Sequence, residues 1–303
     1  MVGDSDYLQA PSQKNICAVI VTYFPDESFP ERLRQIRMQV DQVVVVDNGS
    51  DDGAFRHVQS SVFNSGAAVI RNCVNLGVAT ALNQGVQWAL ERGYAWSLLF
   101  DQDTVPYADM VCKLRRAYDE FPQKHRLAAL GCNRFLKPRP QNSSLPRYQW
   151  WTASKAIITS GTLLSLSATR SIGLFRDEFF IDEVDFEFCL RARFMGFKIV
   201  EILEPIMDHC IGNPKPIRLL RSKKRTANHR PWRWYYRVRN KIILLREYFW
   251  KDPAWAVQAV FSSITAATLA LLFEDARILK LKYMTLGLSD GVTGHFTRNV
   301  TKK

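Results

Sequence analysis

The sequence predicts an α/β fold: a mostly parallel sheet flanked by helices, followed by a helical C-terminal extension. Three observations carry this. Short β-rich runs alternate with segments of helical spacing over roughly the first two hundred residues, the order that builds parallel βαβ units. The run Gln42-Val43-Val44-Val45-Val46 shows no polar alternation, as a strand covered on both faces requires. Beyond residue 215 the chain turns basic and aromatic, then uncharged for twenty residues, 254–273.

Taken in order, residues 16–21 form the first strand, and 29–38 have the spacing and charge of a helix. Residues 42–46 are the second strand, 54–63 a helix and 67–70 the third strand. Residues 78–91 are a helix stopped by Gly93, and 95–100 the fourth strand. After Gly131 the pattern loosens. Residues 136–148, rich in Pro, Asn and Ser, read as a loop over a site or an acceptor-binding excursion. Residues 157–166 resemble a strand-pair element, 184–195 a helix and 197–202 a late strand. The expected organisation is a tail (1–15), an α/β domain (16–215) and a basic, helical region (216–303), with no internal repeat.

Composition narrows the function. With 303 residues, 47% hydrophobic and 12% aromatic, the chain supports a sizeable core and is not a disordered polypeptide. Its six cysteines are scattered, with no CxxC pair, which gives a zinc or redox motif little support, and several lie in apolar runs that suit reduced core thiols. Residues 1–15 hold no apolar signal-peptide core, which favours the cytosolic side. Residues 211–241 contain eleven Lys or Arg and no Asp or Glu, against a net charge of +12 for the whole chain. Such a block suits nucleic acid, a phosphorylated substrate, an anionic membrane face, or a solvated linker. The uncharged run 254–273 is long enough to span a bilayer. However, Gln258, Ser262, Thr265 and Thr268 share one helical face, which favours an amphipathic helix at an interface or packed on the catalytic domain. Arg277, Lys280 and Lys282 follow, in keeping with anionic headgroups. Trp232, Trp234, Tyr235 and Tyr236, interleaved with Arg, suit an interfacial belt.

The chemistry concentrates at strand ends. Asp101-Gln102-Asp103-Thr104 follows an apolar strand. Two carboxylates one residue apart can face one hard cation that also holds phosphate oxygens. Thr22-Tyr23 and Asp47-Asn48-Gly49-Ser50 end the first two strands, where ligands of an open parallel sheet bind. Asp47 could accept from a base or ribose, although Asp-Asn-Gly-Ser also makes a plain tight turn. Asn75-Leu76-Gly77 opens the helix that carries Asn83, a place for a diphosphate or simply a cap. Asp182-Glu183-Val184-Asp185-Phe186-Glu187 opens a later helix, with Arg191 four residues beyond Glu187, and offers a general base. His209 could complete a metal shell with Asp101 and Asp103. A nucleic-acid-binding reading of the basic block leaves the acidic pair and the alternating sheet unexplained.

Together these motifs resemble the family 2 inverting glycosyltransferases of GT-A fold, and within them the bacterial rhamnosyltransferases. The likeness runs from about residue 16 to about 294. Val21-Thr22-Tyr23, Val46 to Ser50, Asn75-Leu76-Gly77 and Ala81-Leu82-Asn83-Gln84-Gly85 match the donor half, and Asp101-Gln102-Asp103-Thr104 the metal motif in the form typical of the rhamnosyl branch. Ser160-Gly161 and Phe180 to Asp185 match the acceptor side. His209-Cys210-Ile211-Gly212 and Tyr235-Tyr236-Arg237-Val238-Arg239-Asn240 match two late segments. The resemblance implies Mg²⁺ or Mn²⁺ at Asp101, Asp103 and His209. It implies donor contacts from Thr22, Tyr23, Asp47, Asn48, Asn75, Gly77, Asn83, Asp101 and Gln102, and acceptor or diphosphate contacts from Ser160, Gly161, Asp182, Arg237 and Arg239. Asp185 is the expected base, assisted by Arg191, with Glu183 the competing register. The implied donor is dTDP-L-rhamnose, with UDP-galactofuranose or UDP-glucose as alternatives. The implied acceptor is a lipid-linked saccharide or a hydroxyacyl glycolipid at the cytoplasmic face of the inner membrane. No nucleic-acid partner is expected, and a homodimer is compatible with the family.

Overall fold

Every residue of β1 (Ile16–Thr22) is buried, and so is every residue but the first of β2 (Gln42–Asp47). Strands covered this completely need helices on both faces, and the computed structural model supplies them. It describes residues 9–133, 149–208, 215–219, 222–226, 228–298 and 300–301. The loop expected at 136–148 lies outside the described residues. In chain order α1 (Phe29–Arg37) and β2 follow β1, then α2 (Asp52–Ser65), β3 (Ala68–Arg71), α3 (Val78–Glu91) and β4 (Trp96–Asp101). These agree with the expected elements to within one or two residues at most ends. The sequence reading missed α4 (Met110–Glu120), β6 (Leu127–Gly131) and α5 (Leu166–Ile172). The last begins where the strand pair was expected to end.

An eight-stranded sheet runs β3-β2-β1-β4-β8-β6-β9-β7, with β7 at Trp151–Ser154, β8 at Thr162–Ser165 and β9 at Lys198–Ile202. β3, β2, β1 and β4 are mutually parallel, whereas β8 pairs antiparallel with both β4 and β6. A two-stranded pair, β5 (Val105–Pro106) with β10 (Met207–Asp208), leaves this sheet just past β4. The core beneath the sheet is built from Ile16, Ala18 and Ile20 of β1, Val43 and Val45 of β2, and Leu98 and Phe100 of β4, among others. Cys17, Cys132 and Cys189 are buried free thiols, and burial pushes Cys17 and Cys189 up to about 12. Cys73 and Cys112 are exposed, so the reading of several cysteines as core thiols applies to Cys17, Cys132 and Cys189 among the described residues.

The chain forms two compact units: Met1–Asp177 with Asp185–His209, and Glu178–Val184 with Cys210–Lys303. The second therefore begins at Cys210 and takes in a short segment from the middle of the chain. It holds the hairpin β11 (Lys215–Leu219) and β12 (Ser222–Thr226) and three helices. These are α7 (Arg233–Tyr248), α8 (Pro253–Phe273) and α9 (Arg277–Thr293). The helix α6 (Val184–Phe194) opens where the chain returns to the first unit.

Within the second unit α7 and α9 touch backbone to backbone, because α9 carries glycine at two positions four apart. A Cβ on Gly287 would stand 2.4 Å from the Tyr235 carbonyl oxygen, and one on Gly291 would stand 2.8 Å from Ile242 Cβ. Replacing Gly287 by Ala gains about 1 kcal/mol of helix propensity. The clash with a carbonyl that cannot move aside costs about 1–3 kcal/mol. Gly287→Ala is therefore expected to lower the thermal midpoint of the purified protein; a raised midpoint would contradict the close packing.

Candidate active site

The strand registers gather the motifs at one edge of the sheet. Val21 on β1 lies beside Asp101 on β4, and Thr22 lies beside Asp47 on β2. Asp101 is half-buried at the end of β4, and Asp103 is exposed in the loop beyond. That loop is pinned from below by Ser160, whose buried hydroxyl accepts from the Asp101 amide at 3.1 Å and shares a hydrogen with the Thr104 hydroxyl. The next amide, that of Gly161, donates to the Leu99 carbonyl at 2.8 Å. The amide of Thr159, the residue before Ser160, donates to the Asp185 carboxylate at 3.1 Å. The other oxygen of Asp185 accepts from the Phe186 amide at 2.9 Å, at the start of α6. One short backbone segment, 159–161, therefore holds the acidic loop on one side and Asp185 on the other. Ser160 and Gly161, expected at the acceptor, are instead the buried support of the loop.

Gln102 has a similar supporting role. Its side chain accepts from the Tyr23 amide at 2.6 Å and donates to the Tyr23 carbonyl at 3.2 Å, joining the loops after β1 and β4. Arg32 donates to the Gln102 carbonyl at 2.7 Å and bonds Asp26 at 2.7 Å. The amide expected to meet the nucleotide thus fixes the backbone that presents Tyr23, which is itself exposed beside Phe24.

Other expected donor contacts prove to be internal ties. The Asp47 carboxylate is fully buried and accepts from the hydroxyls of Thr22 (3.1 Å) and Ser50 (2.7 Å) and from the Ser50 amide (3.1 Å). Thr22 is also fully buried, so this pair ties the ends of β1 and β2 together beneath the place where the donor contacts were expected. Ser50 in turn accepts from the Phe24 amide at 2.9 Å. Asn48 donates to Asn75 and to the Gly77 carbonyl, and accepts from Leu76 and Asn72. Asn75 also accepts from the Gly77 amide at 2.9 Å, which shapes the turn before α3. Gly49 is required there, since a Cβ would fall 2.4 Å from the Val74 carbonyl carbon and its φ is +89°. Asn83, expected at the donor, bonds both backbone groups of Phe175 (2.7 and 2.9 Å) and Asp177 (2.8 Å). A lone sequence shows a polar residue at a strand end but not the neighbour that claims its hydrogen bonds.

Arg191 is likewise a tie. It makes a two-pronged pair with the buried Glu187 (2.8 Å for each bond) and donates to the carbonyls of Ile172 and Leu174. With four of its five donors engaged by these groups it holds the turn after α5.

The donor set suits a hard divalent cation. Asp101 and the exposed Asp103 would provide carboxylate oxygens, and Mg²⁺ takes one or two carboxylates with substrate phosphate completing its shell. Among the described residues no three His, Cys, Asp or Glu side chains gather as a cage, so these two carboxylates need oxygens from elsewhere. His209 lies outside the described residues. Its neighbour Asp208 pairs with Val105 and accepts from the Tyr107 hydroxyl at 2.7 Å, and this bond raises the Tyr107 phenol above its usual value.

The second unit clasps its own segment 178–184 on α7. Asn240, fully buried, donates to the carbonyls of Phe179 (2.8 Å), Ile181 (3.0 Å) and Asp182 (2.8 Å). Arg239, also fully buried, donates to the carbonyls of Glu178 and Phe179 and packs on Tyr235, Tyr236 and Phe296. That placement removes Arg239 from the expected diphosphate contacts. Arg237 is half-buried over the Trp234 ring. Asp182 pairs through both oxygens with Arg233 (2.7 and 3.0 Å), and Glu183 pairs with Lys241. Phe180 stacks on Tyr236 with ring centroids 4.7 Å apart. Trp234, Tyr235 and Tyr236 are buried, so the expected interfacial belt is part of the core of this unit.

Two titrating groups record the clasp. Burial would raise the Asp182 carboxyl, but the Arg233 charge and hydrogen bonds, with Arg237 and His229, outweigh it and hold the group below the usual carboxylate range. His229 is pushed down to about 4, first by burial and then by the Arg233 charge, against the opposing carboxylates of Asp182 and Glu274.

The acidic pair and the carboxylate on the same backbone frame stand at the carboxyl ends of the parallel strands, where ligands of such sheets bind. The chain is a glycosyltransferase of the GT-A fold, and residues 17–163 match the family described as Glycosyl transferase family 2. Along most of its length it is similar to dTDP-rhamnosyl transferase RfbF of Shigella flexneri. The two are 29% identical over 293 residues, covering 92% of this chain and 96% of that protein. Among solved structures the fold is shared with mannosyltransferase PcManGT from Pyrobaculum calidifontis, in complex with GDP-Man and Mn²⁺. That match has a TM-score of 0.53 and 16% identity, over 93% of this chain and 76% of the other. GalNAc-T7 with UDP, GalNAc and Mn²⁺ also shares it, with a TM-score of 0.57 and 16% identity, over 94% of this chain and 59% of the other.

The clasp predicts an acid-sensitive second unit. Both groups have folded values below their unfolded ones, so their stability contribution is present at neutral pH and is lost as pH falls. For His229 the loss runs from about pH 6.5 down to about 4, and amounts to about 3 kcal/mol. Asp182 adds a further loss below the ordinary carboxylate value of 3.8. Unfolding followed against pH should show the first slope in the native chain and not in His229→Gln. An unchanged slope in the variant would show that His229 does not carry it.

Proposed function

We propose that the protein transfers L-rhamnose from dTDP-L-rhamnose to a hydroxyl of a lipid-linked saccharide or hydroxyacyl glycolipid, with inversion at the anomeric carbon. The observation that carries the reaction type is the shared frame, in which Thr159 and Ser160 hold Asp185 and the Asp101–Asp103 loop. The sugar rests on the similarity to a dTDP-rhamnosyl transferase across almost the full length of both chains.

In this reading the donor lies at the carboxyl ends of β1, β2 and β4, with its diphosphate toward Asp101 and Asp103 and its nucleoside toward the exposed Tyr23. Asp101 and Asp103 would hold Mg²⁺ or Mn²⁺, which when bound supplies positive charge against the departing diphosphate. Asp185 takes the proton from the acceptor hydroxyl. The acceptor oxygen attacks the anomeric carbon from the face opposite the diphosphate, the bond to dTDP breaks, and dTDP leaves with its electron pair. Asp185 is half-buried and accepts hydrogen bonds from the Thr159 and Phe186 amides, which orient its carboxylate on the frame that also holds the acidic loop. Glu183 pairs with Lys241 on α7. The acceptor's lipid portion places the enzyme at the cytoplasmic face of the inner membrane.

A donor screen on native lipid extract tests the proposal. Mass analysis should show a deoxyhexose added from dTDP-rhamnose and nothing added from UDP-galactofuranose or UDP-glucose. Turnover of a UDP-sugar without turnover of dTDP-rhamnose would overturn the donor assignment. Asp103→Ala is expected to abolish the metal-dependent part of donor binding, measured by titration with and without Mn²⁺. Binding that keeps its full metal dependence in the variant would remove Asp103 from the cation site.

A further inference from the structure

Helices α8 and α9 each present three faces rather than two. On α8, Ala256, Ala259 and Ala270 are buried and form one face at helical spacing. The exposed remainder divides in two. Val257, Phe261 and Ile264 make an apolar stripe, with Phe261 68% exposed. The polar stripe of Gln258, Ser262 and Thr265 runs beside it, also exposed, while Thr268, four residues after Ile264 and seven after Phe261, falls in line with the apolar stripe. α9 repeats the plan. Lys280, Met284, Gly287 and Asp290 are buried, Ile278, Leu281 and Val292 form an exposed apolar stripe, and Lys282, Ser289 and Thr293 lie on the exposed polar side. Ile278 is 88% exposed. Trp250, just before α8, is 86% exposed. The two helices pack on each other and on α7. Contiguous apolar stripes rimmed by polar residues mark a surface that binds something.

Charge decides what. The second unit holds nineteen Lys and Arg against eight Asp and Glu, a net +11 out of the chain's +12. Lys251, Arg277 and Lys282 are exposed near the ends of the apolar stripes. Most of this charge lies in residues 211–246, with twelve Lys and Arg and no Asp or Glu, while 247–293 hold four Lys and Arg against five Asp and Glu. A second copy is therefore disfavoured by the net +11 of the unit as a whole and not by charge at the stripes. An anionic bilayer offers both an apolar interior and an attractive surface, and each exposed cation near it adds to the attraction.

We infer that α8 and α9 lie in the plane of an anionic bilayer, with the Val257–Ile264 and Ile278–Val292 stripes in the acyl boundary, Trp250 at the headgroups, and Lys251, Arg277 and Lys282 on the phosphates. α8 has the length and mean hydropathy of a spanning helix, 21 residues at 1.8. Crossing the bilayer would put Gln258, Ser262 and Thr265 in hydrocarbon and separate the alanine face from the helices that cover it. An in-plane helix keeps both satisfied. The expected polar face therefore holds for Gln258, Ser262 and Thr265, but it is the flank of the docking stripe and not the opposite side of a two-faced helix. This deepens the membrane placement proposed above and is independent of the donor sugar.

The test is flotation of the purified full chain with vesicles of phosphatidylcholine, with and without phosphatidylglycerol. Three variants accompany it: Phe261→Ser, Ile278→Ser, and as a control Phe63→Ser, an exposed aromatic on α2 of the first unit. The native chain and Phe63→Ser should bind the anionic vesicles alike, and added salt should weaken both. Each of the other two variants should bind about tenfold more weakly, with the thermal midpoint and donor hydrolysis unchanged. If both bind as the native chain does, the docking face is wrong while the membrane placement stands. No binding of the native chain to any vesicle overturns the membrane placement as well. Protein that resists carbonate extraction from membranes overturns the in-plane orientation in favour of a span. A dimer in sedimentation that Phe261→Ser dissociates, without vesicle binding, assigns the face to a second copy.

Discussion

The geometry of the first unit turns on one buried hydroxyl. Ser160 accepts from the Asp101 amide and contacts Thr104, so the acidic loop leaves β4 along one path. Ser160 can do this because β8 runs antiparallel to β4 and delivers residues 159–161 to the end of that strand. The same short segment offers the Thr159 amide to Asp185. A buried hydroxyl without partners would cost about 1–3 kcal/mol, so the arrangement is self-enforcing: Ser160 is satisfied only when the loop is in place. The antiparallel strand inserted in a parallel sheet is thus what brings a carboxylate on α6 into the same frame as a loop on β4.

In the second unit, strain and its compensation sit side by side. Phe180, Asp182 and Glu183 have φ of 62°, 62° and 63°, a conformation that costs a non-glycine residue about 1–3 kcal/mol. The cost is offset by α7, where Asn240 alone satisfies three carbonyls and Arg233 and Lys241 hold the two carboxylates. The segment could not keep this shape by its own propensity. Its sequence runs straight on to Asp185, so α7 fixes the conformation of the chain leading to the proposed base.

Much of the fold was legible because it rests on local signals. Uninterrupted Val runs and helical spacing located β1, β2, β4, α1 and α3, and the acidic pair stood out because it follows an apolar strand directly. α4 carries its buried residues Met110, Leu114, Ala117 and Tyr118 at regular helical spacing, so its signal was present and unread. By contrast, β6 and α5 are runs of five and seven residues, too short for periodicity to separate strand from helix. In the site, residue type was readable and partnership was not. Asp47, Asn83, Arg191 and Arg239 have the chemistry of ligand-binding groups, yet each spends its hydrogen bonds inside the protein. Asn240 carried a readable sign, since asparagine inside a helix is a poor helix former and here has a side-chain task. The belt of Trp and Tyr misled for the opposite reason: aromatic residues beside arginines suit an interface and a cation–π core equally well.

The central claim is that Asp185 and the Asp101–Asp103 loop work as one unit on the donor. Single-turnover transfer measured together with donor affinity tests it most directly, comparing Asp185→Asn with Glu183→Gln. Asp185→Asn should bind dTDP-rhamnose as the native chain does and lose transfer by several orders of magnitude, while Glu183→Gln retains most of it. Transfer preserved in Asp185→Asn and lost in Glu183→Gln would contradict the account and move the base to the segment that α7 clasps.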